Sequence, residues 1–423
     1  MAPNKIIIDT DPELEVLMIS VTYGNVPLQS CLKNTVTVFH VLEKELAWRR
    51  STGRAEKYET MKKSKPIVAV GPAHPLDVEE LKADYFHGAD GLHNVHSVHP
   101  HLSPGDETWK TLFDSSSNDP ADVSSPSPYF TPSKVPSHKE ILRILRENPV
   151  DTVTLVAVGP LTNMALAAAE DPETFVKAKE LLVMGGAVHV QGNCTPVAEF
   201  NCYADSVAAA RVYALTSFVP EATMPPASST AESSLGPYPA NLSRQLKLTL
   251  FPLDITTPHS ISKEYFTGKI QPYIDAGSPL ATWTSHFIQG AFKKIEDIID
   301  PDIKDPDLSL SLHDPLTVWY ALSSPTSDAW KVPETPEDIR VETTGQWTHG
   351  MHIIDKRGKK KPAAAAAAAS KDPKTDPAVL AVDDVPGDDY AWLSVRKGNR
   401  INRLIASPGA DIFKEVWMEK VFG

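Results

Sequence analysis

Residues 5–12 read Lys-Ile-Ile-Ile-Asp-Thr-Asp-Pro, three β-branched residues running into two carboxylates spaced one apart. That pattern predicts a buried strand that delivers Asp9 and Asp11 to the carboxyl edge of a sheet, where open α/β folds bind ligands. The next stretch, Glu-Val-Leu-Met-Ile-Ser-Val-Thr-Tyr-Gly-Asn (15–25), reads as a second strand ending in a loop. Only a few residues separate the two. A parallel crossover takes roughly a dozen residues or more, usually a helix. The expectation is therefore that these strands are not parallel neighbours and that an element is missing between them.

Further along, apolar residues recur at helical spacing over 26–49 (Val36, Phe39, Val41, Leu42, Leu46), ahead of a short strand at 66–71. Ile141, Leu142, Ile144 and Leu145 mark another helix. Residues 152–159, Thr-Val-Thr-Leu-Val-Ala-Val-Gly, form a continuous apolar strand, followed by a helix from Leu161 and a strand at 181–184. Buried strands alternating with helices predict an α/β fold with an open, mostly parallel central sheet flanked by helices. Three segments break the pattern: 103–137, rich in Ser, Pro and Asp; 220–240, rich in Pro, Ser and Ala; and 356–377, a basic run followed by seven alanines. Each reads as a disordered surface insertion in a single domain spanning 1–423.

A chain of 423 residues with 41% hydrophobic content has material for a sizeable core, and a formal net charge of −13 argues against a nucleic-acid or anionic-membrane binder. The three cysteines, Cys31, Cys194 and Cys202, have neither disulfide-framework nor metal-ligand spacing, which suits a reducing compartment. No apolar run reaches the ~18 residues of a membrane span, so a cytoplasmic enzyme is expected.

Several blocks carry polar groups suited to chemistry. They are Val-Gly-Pro-Leu-Thr-Asn (158–163), Leu-Val-Met-Gly-Gly (182–186), Gly-Asn-Cys-Thr-Pro-Val-Ala-Glu-Phe-Asn (192–201), Leu-His-Asp-Pro-Leu (312–316) and Trp-Thr-His-Gly-Met (347–351). Together, and in this order, they resemble the inosine–uridine-preferring nucleoside hydrolase family. That family opens with Asp-Thr-Asp-Pro-Gly-x-Asp-Asp, then a helix, then a strand ending in Gly-Asn. Asp9 to Pro12 and Gly24-Asn25 match; the Gly-x-Asp-Asp half and most of the helix have no counterpart here.

The resemblance implies cleavage of an N-riboside bond, releasing free base and ribose by means of a Ca²⁺-activated water. Ca²⁺ takes six to eight oxygen ligands, and bound metal lowers the pKa of water. By resemblance the ligands are Asp9, Asp11, Asp314 and the Val158 carbonyl, with Asp11 also the general base. Asn25, Met184, Asn193, Glu199 and Asn201 would face the ribose. Phe200 lies near the base, and His87, in the glycine-rich 86–92, belongs to a flap over the base pocket. His313 would protonate the leaving base, given an ordinary pKa near 6.5. The resemblance also implies a homo-oligomer with a ribonucleoside as its partner. Because one carboxylate ligand and the bracing helix are absent, feeble or no turnover is expected of the chain as written. The alternative is a catalytically impaired member kept for binding or arising from a truncated coding sequence. An Asp-x-Asp phosphotransferase of the haloacid dehalogenase type leaves the 192–201 and 312–316 blocks unexplained.

Overall fold

A computed structural model of the chain describes residues 5–7, 15–55, 57–76, 86–114, 128–225, 235–299 and 308–423. The strands in chain order begin with β1 Lys5–Ile7, β2 Glu15–Val21, β3 Ile67–Val70, β4 Thr131–Ser133, β5 Val153–Ala157, β6 Glu180–Met184 and β7 Leu248–Phe251. Two small antiparallel pairs follow, β8 Ser260–Ser262 with β9 Ser309–Ser311 and β10 Arg340–Val341 with β11 His352–Ile353. The last strand is β12 Ile401–Arg403.

Eight strands join in one sheet of order β12-β7-β6-β5-β1-β2-β3-β4, and every neighbouring pair is parallel. The expected open, parallel α/β architecture is present. Winding proceeds from β1 to β4 on one side and from β5 to β7 on the other, so its direction reverses between β1 and β5. Such a reversal opens a crevice at the carboxyl ends of the strands.

Alternate residues of β2, β3, β5, β6 and β7 feed two separate cores, as period-2 elements covered on both faces must. Val21, Val68, Val156, Leu182 and Phe251 pack on one face, beneath helices Leu28–Ser51, Pro279–Ile298, His313–Ser323 and Ala410–Phe422. Met18, Ala69, Leu155, Leu181, Val183 and Leu250 pack on the other, beneath helices Ser137–Glu147, Thr162–Glu170 and Ser206–Ala214.

Contrary to the expectation from loop length, β1 and β2 are parallel neighbours, with Lys5 opposite Glu15 and Ile6 opposite Val16. The reason is the brevity of β1. Its chain needs to return only two residues' rise and one strand spacing, about 8 Å. Eight peptide links from Ile7 to Glu15 reach about 26 Å. A bare link suffices, without the helix that longer strands need.

The low-complexity segments also differ from expectation. Within 103–137, Trp109, Leu112, Tyr129 and Phe130 are buried, Phe130 packs 4.8 Å from Phe39 between ring centroids, and 131–133 form edge strand β4. Aromatic side chains pull this Ser/Pro-rich stretch onto the core; residues 115–127 lie outside the described part. In 220–240, Pro220 is buried and Tyr238 packs under the Arg211 guanidinium at 5.1 Å, while 226–234 lie outside the described residues. In 356–377 the alanines form helix Ala364–Ala369, in keeping with the helix propensity of alanine, and Ala363 is buried.

Candidate active site

Strand β6 ends in Met184, and the chain turns at Gly185-Gly186. Gly186 has φ +82°, and a Cβ there would fall 2.4 Å from the His352 ring, so only glycine lets the backbone cross this imidazole. The following loop returns to helix Phe200–Ala204, whose N-terminus is capped by Glu199. Glu199 is 2% exposed, and its carboxylate accepts from the backbone N–H groups of Gly186 (2.9 Å), Asn201 (2.9 Å) and Cys202 (3.2 Å). Burial raises its pKa, and these three amides oppose the shift. Asn193 is exposed, and its Oδ1 accepts from Phe200 N–H at 2.9 Å, which ties the half-buried Phe200 to the loop. Asn201 Nδ2 reaches the Met184 carbonyl at 3.2 Å, Met184 Sδ at 3.3 Å and the Val158 carbonyl at 3.4 Å. Asn201 therefore clasps the carboxyl ends of β5 and β6 together.

Past the end of β7, the helix Leu253–Thr256 presents two further side chains. Asp254 accepts from Val188 N–H (3.0 Å) and His189 N–H (2.9 Å). Thr256 Oγ1 lies 2.7 Å from His313 Nδ1. His313 opens helix His313–Ser323, and burial pushes its pKa down to about 4, with the nearby His87 adding to the shift. Its imidazole is therefore neutral at pH 7, unlike the readily protonated group expected from an ordinary pKa. Asp314 is exposed in the first helical turn, where the helix dipole favours a carboxylate. Asp314 and Val158 line one cavity. His87 packs edge-on to Phe86 at 5.0 Å, and Asn25 is exposed in the loop after β2.

Of the expected site residues, Val158, Met184, Asn193, Glu199, Phe200 and Asn201 form one connected group. His87 and His313 form a second, joined there by Thr256, which was not among the expected residues, and Asp314 borders the same cavity as Val158. Asp9 and Asp11 lie outside the described residues. Among the described residues, no group of three His, Cys, Asp or Glu side chains is arranged to hold a metal. The Val158 carbonyl and Asp314 fit a hard cation by donor type, and a carbonyl oxygen has a second lone pair beside the one Asn201 engages. Two donors alone are too few for such an ion.

Sequence reasoning missed Asp254, His352 and Asp205. Asp254 follows an apolar strand, the signal used for Asp9. His352 is 2% exposed beneath Gly186, with Nε2 3.0 Å from Tyr213 Oη. Asp205 is fully buried and accepts from Thr162 Oγ1 at 2.6 Å, Leu76 N–H at 3.1 Å and Ala208 N–H at 2.9 Å, pinning the loop after β3 to the far face.

The sequence profile described as inosine-uridine preferring nucleoside hydrolase matches residues 5–383. The chain belongs to this family of enzymes. It is 27% identical over 347 residues to the pyrimidine-specific ribonucleoside hydrolase RihA of Salmonella arizonae, covering 81% of each chain. It is also 27% identical over 367 residues to an uncharacterized protein of Schizosaccharomyces pombe, covering 83% of this chain and 89% of that one. Among solved structures, the plant nucleoside hydrolase PpNRh1 shares the fold with a TM-score of 0.62 at 19% identity, covering 100% of this chain and 99% of its own. A purine-preferring ribonucleoside hydrolase from Gardnerella vaginalis does so with a TM-score of 0.58 at 17% identity, covering 98% and 92%. No helix among the described residues is long and apolar enough to cross a membrane.

Proposed function

We propose that the carboxyl edge of this sheet serves hydrolysis of the N-glycosidic bond of a ribonucleoside, releasing base and ribose. The observation that carries the reading is the clasp of Asn201 on Val158 and Met184 beside the switch point, in a chain whose family match runs over residues 5–383. Asp9, Asp11, Asp314 and the Val158 carbonyl would hold Ca²⁺, which supplies acidification of a bound water. Asp11 would serve as the general base toward water. Asn25, Asn193 and Asn201 offer amide groups to the ribose hydroxyls, with Met184 beneath them. Glu199 acts as a positioning residue, because its oxygens already hold the loop amides. Phe200 and His87 border the base. His313 is neutral at pH 7; with Thr256 donating to Nδ1, Nε2–H is left to donate to the departing base.

In the same reading, residues 1–423 form one domain, since β12 joins the sheet that β1 begins. The protein works in the cytoplasm as a homo-oligomer, without nucleic-acid or membrane partners. The absence of disulfides among Cys31, Cys194 and Cys202 supports a reducing compartment.

A second reading, an impaired family member, is favoured by one feature: the seven residues between Ile7 and Glu15 contain no Gly-x-Asp-Asp. Cation affinity depends on ligand charge count and site rigidity. The chain as written is therefore expected to turn over inosine or uridine at least about 100-fold more slowly than a form carrying an insert with Gly-x-Asp-Asp and a helix. Release of reducing sugar from both forms, with and without a chelator, tests this. Full, chelator-sensitive activity of the short chain eliminates the impaired reading. Inactivity of both forms towards every ribonucleoside eliminates the hydrolase reading.

A further inference from the structure

Helix Pro279–Ile298 carries two rows at four-residue spacing, Ser285, Gln289, Lys293 and His286, Gly290, Lys294, which share one face. The segment after the glycine-rich 86–92 lies against that face. His286 Nε2–H donates to the His93 carbonyl at 2.8 Å, and the His99 ring stands edge-on to His286 at 5.2 Å between centroids. A Cβ at Gly290 would fall 2.3 Å from the His93 ring, so a bare backbone is what seats that imidazole. Between helix and segment is an open cavity of about 660 Å³, a size that suits a small ligand. It shares no lining residue with the cavity over β2 that Ile19, Val158 and Asp314 line. Five basic side chains, His93, His99, His286, Lys293 and Lys294, face one carboxylate there, Asp297. The neighbouring acids are engaged elsewhere. Asp90 accepts from Leu92 N–H (2.9 Å) and Asn94 N–H (2.8 Å), Glu296 holds Lys263 at 2.6 Å, and Asp275 accepts from Gln271 at 2.8 Å. Neither Lys293 nor the half-buried Lys294 has an ion-pair partner among the described residues. In a chain of net charge −13 this is a concentrated positive cleft, which attracts and retains a counter-ion.

We propose that this cavity binds a tetrahedral oxyanion of the phosphate class, free or at the end of a monoester, against Lys293, Lys294 and the histidine cluster. Two ammonium groups match a dianion, and the imidazoles and the Ser285 hydroxyl add donors. The rings are not disposed as metal ligands, since no group of three His, Cys, Asp or Glu among the described residues could hold a metal. Burial holds His93 and His99 below the usual histidine pKa. His286 adds to both shifts, Lys294 to that of His93 and His101 to that of His99, while Asp90 opposes at His93. A bound anion favours the imidazolium form, so binding takes up protons and tightens as pH falls. The inference does not depend on the hydrolase reading.

The test is calorimetric titration of the full chain at an ionic strength fixed with chloride, which keeps screening constant. Inorganic phosphate and uridine 5′-monophosphate are the probes at pH 7.5, with uridine as the control lacking a phosphate. At least one probe is expected to bind with a dissociation constant below about 1 mM, and at least about tenfold more weakly to Lys293→Gln/Lys294→Gln. Equal affinities assign the site to the phosphoryl group alone; tighter binding of the nucleotide assigns it to a monoester whose remainder fills the cavity. Sulfate, a dianion throughout, is titrated at pH 6 and pH 8 and is expected to bind at least about threefold more tightly at pH 6. Should the double variant not fold, Lys293→Gln and Lys294→Gln are read singly, each with a loss of at least about threefold. Three results overturn the proposal: no binding of either phosphate below about 1 mM, binding that the lysine variants leave unchanged, or uridine binding that they weaken equally. Sulfate binding that does not strengthen at pH 6 removes the histidines from the site and overturns it as stated.

Discussion

In the wing formed by β5, β6 and β7 every strand residue is buried, whereas β2, in the other wing, has four half-buried residues among its seven and borders a cavity. The connections differ in the same way. β5 leads to β6 through helix Thr162–Glu170, and helix Ser206–Ala214 lies between β6 and β7. β1 leads to β2 through seven residues. A parallel sheet needs helices over both faces to bury its strands. The better-buried wing is the one whose crossovers carry helices, although β3, entered through helix Leu28–Ser51, still has half-buried ends.

The sharpest break of this contrast comes from truncation in the complete wing. Leu182 is fully buried in β6, between Val156 and Phe251 of the same core. Leu182→Ala leaves a cavity that close-packed neighbours cannot collapse, so a loss of about 4 kcal/mol in unfolding free energy is expected from urea denaturation. A loss below about 1 kcal/mol would mean that this wing is as loosely packed as the other.

The next effect belongs to His352, which lies at the edge of the complete wing, beneath Gly186. Burial lowers its folded-state pKa to about 4, against opposing contributions from a Gly350 backbone hydrogen bond and Asp254. Above pH 6.5 the imidazole is neutral in both folded and unfolded chains and has no pH effect. As pH falls from 6.5 towards 4 the unfolded chain takes up a proton that the folded chain refuses, so stability falls. The loss is roughly 3 kcal/mol across that window, at about 1.4 kcal/mol per pH unit. Denaturant midpoints at pH 7.5 and 4.5 should differ less in His352→Gln than in the parent chain. An unchanged difference would show that other groups carry the acid sensitivity.

The same contrast explains what was legible in the sequence. β5 and β6 are continuous apolar runs, and the blocks at 158–163, 182–186 and 192–201 follow them within the same wing, so residues near in sequence became neighbours in space. Asn201 meets Val158 and Met184 by that route. The parallel pairing of β1 with β2 was not legible, because the loop rule assumes strands of ordinary length and β1 has three residues. Nor was β4, Thr-Pro-Ser, which reads as a loop; an edge strand tolerates proline because one side of its ladder goes unpaired. Glu199 and His313 were recognisable as polar residues in suggestive blocks. Their burial, which ties one carboxylate to backbone amides and holds the other residue's imidazole neutral, depends on partners such as Gly186, Thr256 and His87 that no spacing rule connects. His352 could not be singled out at all, since its place is defined by Gly186 and Tyr213, both more than a hundred residues away.

The smallest expected effect is the one that separates the wings by sign. Enlarging a side chain in a close-packed core strains it by typically 1–3 kcal/mol, so Leu182→Phe should destabilise. Ile19 is half-buried on the cavity floor, where an added ring meets open space and the apolar walls of Phe39 and Trp319. Ile19→Phe should therefore stabilise by about 0.5–1 kcal/mol, the usual yield of filling a cavity. Gains from new ring contacts exceed the loss of β-branching, because the lining atoms there lack partners on one side and regain dispersion contacts that a sealed core already has. The pair is measured by urea midpoints at one pH, on chains otherwise identical. If both substitutions destabilise to a similar degree, the space over β2 closes up in solution and the two wings are equally well packed.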